Sequence, residues 1–182
     1  MSLSHVLLTS LIERPSSGFE LARRFDKSMG FFWKATHQQI YRELSTMQSK
    51  GWISILENQQ DTGRKKTYQV ELAGRIELTE WLNKQGQPAQ LREELMVRLR
   101  VEAQLGQNTL LPELERHLML HQNQLKLYQI IFDKDFAQSN DQDRKLYIHK
   151  MILQLGIELE QGWINWLERV IYQLKQFDQA SE

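Results

Sequence analysis

Cysteine is absent from all 182 residues. This excludes disulfides, a thiolate nucleophile and cysteine-ligated zinc, and it suits a reducing cytoplasm. Chain breakers are scarce as well. Three prolines and nine glycines leave little room for long loops, and strand-favouring residues gather only around 52–70, so the expected class is mainly α. No apolar run approaches the ~20 residues that a bilayer span needs. Met1-Ser2-Leu3-Ser4-His5 lacks the basic lead and small-residue cleavage site of a signal peptide. We therefore expect a cytoplasmic protein with no membrane partner. A Gly-rich phosphate loop, a Gly-x-Ser-x-Gly elbow and a His-Glu-x-x-His helix are also missing, so neither an enzyme nor a cofactor is expected. Net charge is zero, but it is unevenly spread. Residues 1–70 carry ten Lys/Arg against six Asp/Glu, and residues 71–182 carry thirteen against seventeen. A front of +4 and a back of −4 fit one half that meets phosphate and one that meets itself.

What is present centres on Thr36 to Lys50. Ile40, Leu44 and Met47 fall at i, i+4 and i+7, one stripe of a 3.6-period helix. Thr36 can cap its start, and Lys50 followed by Gly51 is a usual stop. The other face carries His37, Gln38, Gln39, Arg42 and Thr46, with Glu43 as its only acid. Gln and Arg are side chains that bond purine edges bidentately in a major groove. The competing reading is an ordinary solvated amphipathic helix.

The neighbours favour DNA. Residues 3–13 read as a helix ended by Pro15, Ser16-Ser17-Gly18 as a turn, and Phe19 to about Ser28 as a second helix. Phe31-Phe32-Trp33 cannot share one helix face, and at least two should plug a core seam. After Gly51 the period becomes alternating. Residues 52–58 and 67–70 read as paired strands around a tip at Gln59–Arg64. Three helices followed by a β-hairpin make a winged helix-turn-helix with a two-stranded wing. Arg64, Lys65 and Lys66 form a basic run on its returning limb, suited to phosphate or the minor groove. A fourth helix spans Leu72 to Lys84, with Leu72, Ile76, Leu78, Trp81 and Leu82 mostly on one side.

Gln85-Gly86-Gln87-Pro88 is the best domain boundary, dividing a winged-helix DNA-binding domain (1–86) from an all-α dimerisation domain (87–182). Helices are expected to about Leu105, from Leu111 to Phe136, and from about Gln142 to Phe177. The last, of ~36 residues, would span about 54 Å. Its apolar positions Ile148, Ile152, Leu155, Leu159, Trp163, Trp166, Val170 and Leu174 recur every three, four or seven residues, and Leu146, Met151, Ile164, Leu167 and Ile171 widen the stripe. So wide an apolar surface needs a partner, and the simplest is a second copy in a twofold homodimer.

Read in order, these segments carry a resemblance. Ser17-Gly18-Phe19-Glu20-Leu21, Ile40-Tyr41-x-x-Leu44-x-x-Met47-x-x-x-Gly51-Trp52-Ile53, Gly63-Arg64-Lys65-Lys66-Thr67-Tyr68, Gly74-Arg75 and Leu91-Arg92-Glu93-Glu94-Leu95 together resemble the PadR family of bacterial transcriptional regulators over essentially the whole chain. Thr36 to Leu44 is most similar to the branch of AphA-type virulence regulators. The resemblance implies a homodimer on operator DNA, often responsive to a small aromatic molecule near the dimer interface. Two positions depart from the common pattern: Gln38 stands where many members have Gly, and Arg42 where many have Pro. Both add groups that reach bases or phosphates. Glu71 stands where the family often has Thr; it is a weaker cap and leaves the start of the fourth helix open.

The expected function is thus a DNA-binding transcriptional regulator, a repressor rather than an activator, acting as a homodimer on a pseudo-palindromic double-stranded operator. Thr36, His37, Gln38, Gln39, Tyr41, Arg42 and Thr46, with Arg64, Lys65 and Lys66, are the candidate DNA contacts. The alternative is a winged-helix protein–protein adaptor, which zero net charge would suit. Trp163 and Trp166, three apart, can stack a small aromatic effector or fill the dimer seam, and the seam is the preferred reading. Glu113, His117 and His121 share a helix face that can hold a divalent cation, but a polar stripe is preferred and no metal is expected. His5 and His149 read as ordinary surface residues, and Trp33, Trp52 and Trp81 as core or interface residues.

Overall fold

The computed structural model describes residues 2–25, 33, 35–56, 66–88, 90–107, 109–136 and 143–180. The chain divides into two compact units, Met1–Ala89 and Gln90–Glu182. The first is built from α1 (Leu3–Glu13), β1 (Ser16–Ser17), α2 (Gly18–Phe25), α3 (His37–Ser49), β2 (Ile53–Leu56), β3 (Thr67–Val70) and α4 (Leu72–Leu82). The second holds α5 (Glu94–Leu105), α6 (Leu111–Phe136) and α7 (Arg144–Ala180). This is the mainly α, winged-helix architecture expected, with one addition to the sheet. Ser16 and Ser17 form a third strand and not a turn, pairing antiparallel with Tyr68 and Thr67 in the order β1-β3-β2. Both serines are buried. A two-residue strand has no readable period, which is why the pattern suggested only a turn.

The N-terminal core gathers Leu7, Leu8 and Leu11 of α1, Leu21 and Ala22 of α2, Ile40, Leu44 and Met47 of α3, and Ile53 of β2. Fully burying each of the leucine, isoleucine and methionine side chains contributes about 1.5–3 kcal/mol. Trp33, Trp52 and Trp81 pack partly buried against it; Phe31 and Phe32 lie outside the described residues. Ser17 and Glu20 close a capping box at the start of α2: the Ser17 Oγ accepts from the Glu20 N–H at 3.2 Å, and Glu20 Oε2 accepts from the Ser17 N–H at 3.1 Å. The expected end of α2 near Ser28 lies outside the described residues. His5 is not an ordinary surface residue. It stacks on Trp81 with ring centroids 4.7 Å apart, and its Nε2 lies 3.1 Å from Glu77 Oε1. The α1–α4 contact covers it, which the local sequence could not reveal.

The buried stripe of α4 is narrower than expected. Leu72, Ile76 and Leu82 are exposed; Gly74 and Leu78 are buried, and Trp81 is half-buried. Glu71 precedes the helix without a side-chain cap. Its carboxylate accepts instead from Ser54 and from Gln69 Nε2, the latter at 3.2 Å, and α4 still begins at Leu72.

In the second unit α5 begins at Glu94, because Glu93 is its N-cap and accepts the Leu95 N–H at 3.3 Å. Asp143 caps α7, accepting the Lys145 N–H at 2.9 Å. The pairs Glu115–Lys175, His121–Glu160 and Tyr128–Gly156 run in opposite directions along α6 and α7, so the two helices are antiparallel. With 37 residues, α7 is about 55 Å long. Its inward side is Leu153, Gly156, Ile164, Leu167 and Ile171; the last three belong to the set expected only to widen the stripe, whereas Leu146 and Met151 of that set are half-buried and Leu153 and Gly156 were not part of it.

Gly74 sits where α4 meets the sheet. A Cβ there would lie 2.4 Å from the Trp52 carbonyl oxygen and 3.1 Å from Leu8 Cδ2. Gly74→Ala should therefore destabilise the chain by about 1–3 kcal/mol in urea unfolding. Gly86→Ala, with nothing within 4 Å, should change it by less than ~0.5 kcal/mol. Equal effects would contradict the close approach.

Candidate nucleic-acid interface

Helix α3 is framed by two well-formed ends. At its start, Thr36 Oγ1 accepts the Gln39 N–H at 3.2 Å and Gln39 Oε1 accepts the Thr36 N–H at 2.8 Å, a reciprocal capping box. At its end, Gly51 adopts φ +68°. The Gly51 N–H donates to the Gln48 carbonyl and the Trp52 N–H to the Met47 carbonyl, both at 3.0 Å. This is a Schellman turn, which a side chain at Gly51 would strain. Lys50 lies 4.3 Å over the Trp52 ring, which holds a cation at the C-terminal end of α3. Sequence spacing alone did not single it out.

Between these ends the inward stripe Ile40, Leu44 and Met47 is buried, as expected. His37, Gln38, Gln39, Arg42 and Thr46 are all exposed. Tyr41 is half-exposed, with its ring against the start of α2: a Cβ on Gly18 would fall 2.5 Å from Tyr41 Cε1. Gln39 differs from the expectation of a free base reader, since its side chain serves the cap. Thr46 donates its hydroxyl to the Arg42 carbonyl at 3.2 Å, within the helix. Glu43, the only acid of α3, is turned aside to accept a hydrogen bond from the buried Ser4 hydroxyl of α1. The remaining outward surface of α3 offers amide, imidazole and guanidinium groups without a free carboxylate. Of the wing's basic run, Lys66 is exposed, whereas Arg64 and Lys65 lie outside the described residues.

In the second unit the proposed seam residues separate into two groups. Ile148, Ile152, Leu155 and Leu159 are 39–58% exposed and form an outward row. Trp166, Val170 and Leu174 instead pack against the unit's own core of Leu95, Leu114, Leu167 and Ile171. Trp163 is stacked on His121 at 5.3 Å, and the ring of Trp166 stands at 88° to it, 5.7 Å away. With Met96, Glu158, Leu159 and Gly162 they line an open cavity of about 340 Å³. On the face of Glu113, His117 and His121, the first two meet, with His117 Nε2 3.3 Å from Glu113 Oε1, but His121 is engaged elsewhere. Two Arg116 nitrogens bond Glu113 at 2.7 Å and hold its carboxyl down at about 2, while His121 Nδ1 faces Glu160 at 2.5 Å. Among the described residues no group of three or more His, Asp or Glu could hold a metal ion, and no helix is long and apolar enough to cross a membrane.

Comparison with known proteins agrees with this geometry. A family model described as the transcriptional regulator PadR-like family matches residues 7–80, and one described as virulence activator alpha C-term matches residues 91–175. A probable transcriptional regulator of Mycobacterium tuberculosis is 34% identical, over 97% of this chain and 99% of that one. The chain belongs to the PadR family of transcriptional regulators. Among solved structures, the Vibrio cholerae virulence activator AphA is 28% identical with a TM-score of 0.78, over 97% of this chain and 99% of that one. Bacillus subtilis PadR in complex with operator DNA is 26% identical with a TM-score of 0.81, over 94% and 97%. The same Bacillus protein is also known in complex with p-coumaric acid. The adaptor reading gains no support from these relatives.

The cap geometry gives a direct test. Thr36→Ala should lower the unfolding free energy by about 1 kcal/mol, and Gln38→Ala, outside the box, by less than ~0.5 kcal/mol. Urea denaturation of both variants decides it, and an unchanged Thr36→Ala protein would contradict the capping role.

Proposed function

We propose that this transcriptional regulator binds a pseudo-palindromic operator as a homodimer, with one α3 helix of each copy in a major groove. The observation that carries the reading is the outward face of α3, where Glu43 is drawn towards Ser4 and Gln38 and Arg42 stand exposed. Gln and Arg are suited to adenine and guanine edges. Thr36, His37, Tyr41 and Thr46 flank them as backbone or groove contacts, and Lys66, with Arg64 and Lys65, reaches phosphate from the wing. Lys50 joins this set as a phosphate contact. The operator complex of the Bacillus relative supports DNA as the partner.

The dimer seam is assigned to the exposed row Ile148, Ile152, Leu155 and Leu159, with Trp163 at its end. Their spacing of four, three and four is that of a helix seam. Trp166, Val170 and Leu174 support the seam from within their own unit. Repression follows the Bacillus relative, a negative transcriptional regulator. That relative's p-coumaric acid complex supports a small aromatic effector, and we place it at Trp163 and Trp166. The protein would act in the cytoplasm, where its operator lies.

The experiment is a binding titration against DNA upstream of the protein's own gene and against random-sequence DNA. Arg42→Ala should weaken operator binding by about 1–3 kcal/mol more than random binding. Equal losses on both would remove Arg42 from base reading.

A further inference from the structure

We propose that Ser45 is a third base-reading residue of α3. This rests on the reading of α3 as the DNA-facing helix and adds a residue to it. The core stripe supplies the geometry. Ile40, Leu44 and Met47 are buried, at i, i+4 and i+7. Gln38, Arg42 and Ser45 each stand two residues before one of them, and all three are exposed. Two residues turn an α-helix by about 200°, so these three form the line opposite the core. Gln39 and Thr46, each one residue further on, are turned by about 100° from their neighbours and stand on the flank. Gln38 and Ser45 are about 10.5 Å apart along the helix axis, which matches about three base-pair steps of a duplex.

Ser45 differs from the hydroxyls around it because the fold makes no use of it. Thr9, Thr46 and Thr79 each donate to the carbonyl four residues back, at 2.9, 3.2 and 2.9 Å, a common outlet for a hydroxyl within a helix. Ser49 Oγ donates to the Thr46 carbonyl at 2.8 Å. Among the described residues the Ser45 hydroxyl makes no hydrogen bond, and neither do the side chains of Gln38 and Arg42. Ser is a poorer helix former than Ala, so this position departs from helix preference with no return within the chain, as functional positions do. The free hydroxyl can both donate and accept, and it fits a purine acceptor or a cytosine amino group in a major groove. A serine side chain is short, so the contact needs the α3 backbone close to the base edges at this point. Ser49, one turn on along the same line, is exposed and small enough to allow that approach.

For the test, the full-length protein first selects duplexes from a random pool. The selected duplex and a scrambled version of it are then titrated with the parent protein and with variants. Ser45→Ala should weaken binding to the selected duplex by about three- to tenfold, as expected for one hydrogen bond, and binding to the scrambled duplex by less than about twofold. Ser49→Ala, which removes a hydroxyl engaged within the helix, should change both by less than about twofold. A second selection with Ser45→Ala should lose base preference at a position within about two base pairs of the one relaxed by Arg42→Ala. Arg42→Ala, run alongside, separates this proposal from the reading beneath it. A selective loss in Arg42→Ala without one in Ser45→Ala would overturn the Ser45 assignment and leave α3 as the reading helix. Selective losses of equal size in Ser45→Ala and Ser49→Ala would also overturn it, because the unused hydroxyl would then not be what matters. A pool with no enriched sequence, or an equal loss on both duplexes in Arg42→Ala, would overturn the reading of α3 and Ser45 with it.

Discussion

The peptide unit at Trp52 ties together the three elements on which the N-terminal unit depends. Its N–H closes the end of α3 on the Met47 carbonyl at 3.0 Å, and its carbonyl accepts the Glu71 N–H at 2.9 Å just before α4. The same carbonyl lies so close to Gly74 that no side chain fits there. Because Gly51 takes a left-handed φ, the chain turns directly from helix into β2. Helix α3, strand β2 and α4 are therefore set on one frame by local backbone chemistry. The indole adds to this from the other side, packed partly on the core with Lys50 above its ring.

On that frame, the character of α3's surface comes from what has been removed from it. Glu43 would place a negative charge among the groups that we assign to DNA, and the Ser4 hydroxyl donates to it from the other side. Gln39 gives its carbonyl oxygen to the cap. What stays outward, Gln38 and Arg42 above all, is the part of the helix not committed to holding the fold. The C-terminal unit shows the same division of labour along α7. Leu153, Ile164, Leu167 and Ile171 are buried in its own core, whereas Ile148, Ile152, Leu155 and Leu159 stand outside it. A helix of that length serves two surfaces, one within the chain and one that we assign to a second copy.

Much of this was legible in the sequence, and the exceptions share a cause. The period of Ile40, Leu44 and Met47, the cap at Thr36 and the stop at Gly51 are local signals, and each stands where it was expected. The strand Thr67–Val70 was equally plain. The β1 strand was not, since two serines become a strand only through pairing with Tyr68 and Thr67. His5 gave no sign of its stack on Trp81, 76 residues away in sequence. The withdrawal of Glu43 by Ser4, the bracing of Trp163 by His121 and the split of the α7 stripe are all tertiary pairings. Helical period identifies apolar positions, but a stripe this wide does not say which edge faces its own chain.

We assign α3 as one half of a paired reading head. Selecting bound duplexes from a random DNA pool with the full-length protein tests it most directly. The expected result is two inverted half-sites with centres about 10 bp, or a multiple of that, apart on one face of the duplex. A pool without sequence enrichment, or one enriched for a single unrepeated site, would contradict it.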